Sequence, residues 1–208
     1  MADTPDRRSH WQDVWTGKDP ERVSWFQSDP AVSIELIHSL GRRRDAAIVD
    51  VGGGASLLVD RLLGLGFVHL AVLDVSEAAL AHAAGRLGPV GDDVAWIASD
   101  VLEWEPVPGR HDIWHDRAVF HFLTDPADQH AYARVVETAL APDGAVILGS
   151  FAPDGPTKCS GLPVARHDAA SLAAVLGPGF HLVEERAEDH TTPAGAVQKF
   201  YWSVFRRV

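Results

Sequence analysis

The sequence predicts an α/β fold: a doubly wound, seven-stranded sheet, mostly parallel, that ends in an antiparallel C-terminal hairpin strand. Three observations predict it. Short apolar runs alternate with helical stretches from residue 46 to residue 151, the pattern of βα units whose parallel strands are covered on both faces. The first of these runs closes in a glycine cluster, Gly52-Gly53-Gly54, and opens into a helix. The last two apolar runs, 180–188 and 197–206, lie too close in sequence for a helical crossover, so they pair antiparallel.

Asp29-Pro30 reads as a helix start, with proline at the first helical position, and Gly41 as its stop, giving a helix over 30–40. Arg42-Arg43-Arg44 then reads as a solvated linker. Strand 46–51 leads to helix 55–65, and strand 68–74 to helix 77–87. Strand 94–99 precedes an acidic, proline-containing stretch from Glu103 to Gly109. Strand 111–117, a helix opened by Asp125-Pro126 and reaching Leu140, and strand 144–151 complete the alternation. A Gly/Pro-rich loop over 152–167 leads to a helix capped by Asp168 that stops at Gly177-Pro178. The chain reads as a single domain, 1–208: an N-terminal helical or lid segment (1–44), a ligand-binding core (45–151), and a loop, helix and hairpin (152–208).

A chain of 208 residues with 46% apolar and 23% charged residues has the makeup of one soluble globular domain. No apolar run approaches the ~20 residues of a membrane span, and the opening MADTPDRRSH has no leader core, so no membrane association and a cytoplasmic location are expected. One cysteine, Cys159, cannot form an internal disulfide and agrees with that location. The formal net charge of -11 argues against a nucleic-acid partner. The 15 Arg against 3 Lys reflect coding bias more than function.

The glycine cluster carries the functional signal. A strand that ends in closely spaced glycines lets backbone approach a ligand where Cβ atoms would stand. Twenty residues after Gly54 a second strand ends in Asp74, whose carboxylate can accept from ribose hydroxyls. A dinucleotide fingerprint would place a third glycine at position 57, which is Leu57, so a pyrophosphate cofactor such as NAD is disfavoured. No Gly-Lys-Ser/Thr follows, which excludes a P-loop. The series Asp50-Val51-Gly52-x-Gly54-x-Ser56, then Asp74, then Ser99-Asp100-Val101 resembles the class I S-adenosylmethionine-dependent methyltransferases. That resemblance implies a Rossmann-like sheet, S-adenosyl-L-methionine as cofactor and a methyl-transfer activity.

The resemblance implies a role for each residue. Gly52 and Gly54 pass beneath the methionine part, Ser56 and the following helix start face its carboxylate, and Asp50 lies near its amino group. Asp74 holds the ribose, Val75 and Ser76 flank the adenine, Asp100 accepts from the adenine amino group and Val101 packs on the ring. Ser76 has a competing role as a helix cap. The opening Trp11-Gln12-Asp13-x-Trp15-x-Gly17-Lys18, with the later Trp25-Phe26-Gln27, resembles the start of thiopurine methyltransferases. It covers some twenty residues, and thiopurine substrates do not follow from it. Trp11 and Trp15 would close the cofactor pocket as an aromatic lid over a sulfonium, or else pin the segment to the domain surface.

Transfer from a sulfonium is an in-line displacement, so positioning of the nucleophile dominates and a base matters only where a proton must leave. Candidates for proton transfer or acceptor contact are Asp116, Arg117 and His121 in Trp114-His115-Asp116-Arg117-Ala118-Val119-Phe120-His121-Phe122. Each has a plain structural alternative, an ion pair or a core histidine. Strand alternation puts His115 on the face opposite Asp116. Trp25 and Cys159 are candidates for substrate contact, Cys159 alternatively a buried spacer. The histidine spacings give no metal site. The expected acceptor is a small-molecule S, O or N nucleophile; a protein lysine acceptor and a non-catalytic S-adenosylmethionine-binding module are the alternatives.

Overall fold

The computed structural model describes residues 7–208. Met1 to Asp6, part of the hydrophilic opening, lies outside the described residues. In chain order the elements are α1 (Arg7–Gly17), α2 (Ala31–Ser39), β1 (Ala47–Val51), α3 (Leu58–Gly64), β2 (His69–Asp74), α4 (Glu77–Leu87), β3 (Ala95–Ala98), β4 (His111–Arg117), α5 (Pro126–Ala139), β5 (Leu140–Phe151), β6 (Lys158–Cys159), β7 (Leu162–Pro163), α6 (Ala169–Leu176), β8 (Phe180–Thr191) and β9 (Val197–Arg207). Short 3₁₀ turns occur at Pro20–Arg22, Gly88–Gly91 and Phe120–Phe122.

The main sheet has the order β3-β2-β1-β4-β5-β9-β8. β1 pairs in parallel with β2 and β4, and β5 continues in parallel from β4. β9 runs antiparallel between β5 and β8. The α/β architecture read from the sequence is therefore the one observed, including the final hairpin.

Side chains alternate between two cores. Ile48, Val72, Ile113 and Ile147 pack under α2, α3 and α4 with Leu36, Leu58 and Leu80. Val49, Leu73, Trp114 and Leu148 pack under α5 and α6 with Tyr132, Val136 and Leu172. All five residues of β1 are buried, as a strand covered on both faces requires. Edge strand β8 carries Glu184, Glu185, Arg186, Glu188 and Asp189 along its middle, charges that guard that edge against further pairing.

Several boundaries differ from the sequence reading. α1 forms across a segment with little apolar periodicity, because it gains its stability from packing Val14 and Trp15 onto the domain. Asp29 does not cap α2; it pairs with Arg61 at 3.1 Å, and the helix starts after Pro30. α3 begins at Leu58, since residues 52–57 are used by the glycine turn. The loop over 152–167 contains the two-stranded hairpin β6–β7. The arginine linker is only partly solvated: Arg42 donates to the carbonyl of Asp143, and Arg44 stacks 4.6 Å from the Phe67 ring centroid. By contrast α4 matches, with Ser76 accepting from Ala79 N–H, and Asp168 forms a full capping box with Ser171.

Candidate active site

Strand order reverses between β1 and β4, which opens a crevice beyond their carboxyl ends. The chain leaves β1 through Gly52, with φ +67°, and its N–H donates to the Leu73 carbonyl at 2.6 Å. A Cβ at Gly52 would lie 1.9 Å from Cγ2 of Val119, and one at Gly53 would lie 2.5 Å from Asp50 Oδ2. The glycines here let three strand ends converge. Arg86 on α4 fixes the exit of the turn by donating to the carbonyls of Ala55 and Ser56 while its Nε and Nη2 grip the two oxygens of Asp60. Arg86 stands well outside the motif, and only the packing of α4 reveals it.

A cavity fills the crevice. Gly52, Asp74, Val75, Asp100 and Val101 form its β1–β3 side; Trp11, Trp25, Arg117, Phe122 and Cys159 form the other. A second hollow shares Trp15, Trp25, Gly52 and Arg117 and extends over Asp50, Gly53, Ser56 and His115. Asp74 Oδ1 accepts from Ser76 N–H at 2.8 Å. Burial raises the Asp74 carboxyl to about 7, helped by the charge of Asp50 and opposed by that N–H. Asp100 accepts from Leu102 N–H at 2.9 Å and faces Arg7 at 3.5 Å, and Arg7 also pairs with Asp128. α1 thereby lies across the Asp100 end of the cavity.

The aromatic residues of the N-terminal segment pack edge to face: Trp11 against Trp25 and Phe122, and Trp15 against Trp25. Trp15 is 6% exposed and packs with Val23, Ala55 and Ala79, its ring 3.5 Å from where a Gly54 Cβ would stand. Gln12 accepts from the Ser76 hydroxyl at 3.0 Å, and the carbonyl of Trp15 lies 3.1 Å from His82 Nε2. So Trp15 pins the segment while also lining the cavity, and Trp11 and Trp25 are half-buried on the same wall.

Some residues singled out in the sequence stand elsewhere. His121 is fully buried; the 3₁₀ turn directs its ring against Phe151, 4.8 Å between centroids, and puts Phe122 on the cavity instead. Burial lowers its imidazole to about 3, so it stays neutral. Asp116 is fully buried too, accepting from Val119 N–H at 2.9 Å, Phe120 N–H at 3.1 Å and Tyr132 Oη–H at 2.5 Å. Its carboxyl, raised by burial to about 6, shapes the turn after β4, where Ala118 takes φ +71°. The geometry thus removes both from contact with an acceptor. The Ser76 hydroxyl is used by the helix cap and Gln12 and does not line the cavity. Ser56 is exposed and accepts from Leu58 N–H at 3.1 Å. Cys159 is 5% exposed, and burial pushes its thiol up to about 12. Among the described residues no cluster of three or more His, Cys, Asp or Glu could hold a metal ion.

His115, which strand alternation sets apart from Asp116, is joined to the glycine motif. Its Nδ1 lies 2.7 Å from Asp50 Oδ1 and its Nε2 2.9 Å from Ser33 Oγ. With the carboxylate taking Nδ1–H, Nε2 accepts from the Ser33 hydroxyl. Ser33 is 1% exposed on the buried side of α2, so this chain of hydrogen bonds ties helix to sheet beneath the turn.

Residues 48–144, from β1 into β5, match the family model of a methyltransferase domain. Solved structures share the fold. The 1,6-didemethyltoxoflavin-N1-methyltransferase of Burkholderia thailandensis, with bound 1,6-didemethyltoxoflavin and S-adenosylhomocysteine, is 22% identical, covers 97% of this chain and 84% of its own, and has TM-score 0.71. The N-methyltransferase NodS of Bradyrhizobium japonicum, in complex with S-adenosylhomocysteine, is 18% identical, covers 97% of this chain and 99% of its own, and has TM-score 0.72. A chain solved in connection with the conversion of a disulfide bond into a thioacetal group during echinomycin biosynthesis is 18% identical, covers 97% and 92%, and has TM-score 0.79. No curated protein matches the sequence significantly. The matched segment carries a methyltransferase domain on this fold, and with it the chain is an enzyme whose cofactor is S-adenosylmethionine. No helix among the described residues is long and apolar enough to cross a membrane.

Proposed function

We propose that this enzyme methylates a small-molecule S, O or N nucleophile held in the aromatic-walled cavity. The supporting observation is the division of that cavity between two unlike sides. The Asp74 carboxylate stands on the cavity wall and suits ribose hydroxyls. Val75 and Val101 offer apolar surfaces to adenine beside Asp100, and Asp50 and the Gly52–Gly53 turn suit the amino-acid tail. These residues suit an adenosyl sulfonium in their donor set. When bound, S-adenosylmethionine supplies a methyl group already activated for displacement by its sulfonium.

Trp11, Trp25, Phe122 and Cys159 then face the acceptor side, enclosed by α1 and the β6–β7 hairpin. Their part is to exclude water and to hold the nucleophile in line, a positioning effect worth up to ~7–11 kcal/mol in favourable cases. Among the described residues the wall that carries them includes no histidine, and its cysteine is held as a neutral thiol at ordinary pH. A nucleophile that ionises by itself, or needs no deprotonation, fits such a wall. The Burkholderia thailandensis enzyme, solved with bound 1,6-didemethyltoxoflavin in the same fold, supports a small-molecule acceptor.

Calorimetry with S-adenosylhomocysteine and with NAD tests the cofactor half of this reading; binding of NAD alone would overturn it. A labelled-methyl screen over thiols, phenols, amines and cell lysate tests the acceptor half. Label on protein only would replace the small molecule by a polypeptide, and no transfer to any acceptor would favour a binding module.

A further inference from the structure

Arg117 ends β4 with a cation that is in no direct ion pair among the described residues. Its Nη1 donates to the Trp25 carbonyl at 3.0 Å, and its Cζ lies 4.4 Å from the Phe200 ring centroid. Nε and Nη2 are shielded from solvent and have no hydrogen-bond partner among the described residues. Glu188 acts on it through its charge, while the carboxylate oxygens accept their hydrogen bonds from Gln27 Nε2 at 3.0 Å and Trp202 Nε1 at 2.7 Å. Burial lowers the guanidinium to about 10, which still leaves it charged at neutral pH.

The unused pair of donors is the side-on edge of the guanidinium. Arg86 uses that same edge, Nε and Nη2, to grip Asp60 at 2.9 and 2.7 Å. Two parallel N–H donors match the two oxygens of a carboxylate, and a desolvated guanidinium with both of these donors unpaired favours taking one. Arg117 lines the adjoining cavity, and a turn of the guanidinium that exchanges the Nη1 bond to Trp25 for a ligand carboxylate would present this edge to it. Its place over Phe200 of β9 puts it on the acceptor side, across the crevice from Asp74 and Asp100 on the β2 and β3 side.

We propose that Arg117 is the recognition group of the acceptor site and that the acceptor is a small aromatic or apolar molecule bearing a carboxylate. The carboxylate docks on Nε and Nη2, the apolar body lies against Trp11, Trp25 and Phe122, and the nucleophile is thereby set toward the cofactor side. This rests on the methyl-transfer reading above and narrows its substrate class.

The test uses the full-length enzyme loaded with S-adenosylhomocysteine and matched probes: 3-mercaptobenzoate against 3-mercaptobenzamide, and 4-hydroxyphenylacetate against its amide, with affinities read by ligand-observed NMR. Each carboxylate is expected to bind at least ten-fold tighter than its amide. Arg117→Gln should abolish that preference while S-adenosylhomocysteine affinity changes less than three-fold, and Arg117→Lys, which keeps the charge without the fork, should retain part of it. No carboxylate preference in the wild-type enzyme overturns the proposal, and that measurement needs no variant to fold. A preference that survives in Arg117→Gln also overturns it. So does a ten-fold loss of S-adenosylhomocysteine affinity in that variant, which would assign the guanidinium to the cofactor's own carboxylate. Failure of the wild-type enzyme to bind S-adenosylhomocysteine at all would instead sink the methyl-transfer reading and this inference with it.

Discussion

His115 Nδ1 sits 2.7 Å from Oδ1 of Asp50, so the acid that precedes the glycine turn is held from the neighbouring strand β4. The pair is buried, and Ser33 on α2 completes it. Truncation by His115→Ala would leave a buried carboxylate without its partner, which costs about 3–5 kcal/mol. Urea denaturation should show a lower midpoint with an unchanged slope. His115→Asn, which keeps a donor on a shorter side chain, should recover part of the loss.

Gly52 and Gly85 give opposite expectations for the same substitution. At Gly52 a Cβ meets Val119 at 1.9 Å in a left-handed backbone, so Gly52→Ala should distort the turn and lower S-adenosylhomocysteine affinity more than ten-fold by calorimetry. Gly85 lies inside α4 with nothing within 4 Å of where a Cβ would stand, so Gly85→Ala should raise stability by about 0.5–1 kcal/mol.

Asp74 makes stability and binding respond to pH in opposite senses. Its folded value of about 7 lies above the ordinary 3.8, so the folded protein keeps a proton that the unfolded chain loses. The contribution of this group to stability is full below pH 4, declines as pH rises to 7 and is level above that. Asp74→Asn removes the cost of the buried charge, so the variant should gain on the wild type toward pH 8 by up to about 4 kcal/mol in thermal or urea unfolding. Binding runs the other way: an ionised Asp74 accepts ribose hydroxyls, so S-adenosylhomocysteine affinity should rise from pH 5.5 to 7.5 and then level off, and Asp74→Asn should weaken it and flatten that profile.

The two tryptophans of α1 should separate in stability and binding. Trp15, almost fully buried over Gly54, is a packing residue; Trp15→Ala should cost about 3–5 kcal/mol and release α1. Trp11 is half-buried on the cavity wall, so Trp11→Ala should cost less stability but raise the KM of a small acceptor several-fold. Denaturation and steady-state kinetics on the two variants decide it; equal stability losses would make Trp11 a pin as well.

Cys159 lines the cavity as a neutral thiol, its value raised to about 12 by burial. Its reaction with a thiol reagent such as iodoacetamide at pH 8 should be more than ten-fold slower than that of free cysteine, because the thiolate is the reactive form. Cys159→Ser should retain transfer activity, and loss of activity in a folded variant would give the sulfur a direct part in binding the acceptor.

The path from residues to site was legible where the chemistry is local. Gly52, Asp74 and Asp100 lie at successive strand ends, and the cavity gathers Gly52, Asp74, Val75, Asp100 and Val101 on one side. Ser76 and Asp168 cap helices through backbone donors three residues ahead, which short-range spacing reveals. The residues after β4 were less legible. His121 and Phe122 are adjacent, and only the 3₁₀ turn sends the first into the core and the second to the cavity. Strand periodicity cannot predict that exchange because it ends where the strand ends.

Local patterning was enough to establish the alternation of strands and helices, the closing antiparallel hairpin and the strand ends that line the cavity, because hydrophobic period, turn chemistry and glycine placement act over a few residues. Packing in three dimensions settled which polar groups are spent and which are free. It put Asp116 under three donors, joined His115 to Asp50 across two strands, laid α1 over the cavity and left one edge of Arg117 without a partner among the described residues. Those outcomes depend on contacts between residues far apart in the chain, where burial and the geometry of neighbouring elements decide whether a side chain holds the fold together or faces a ligand.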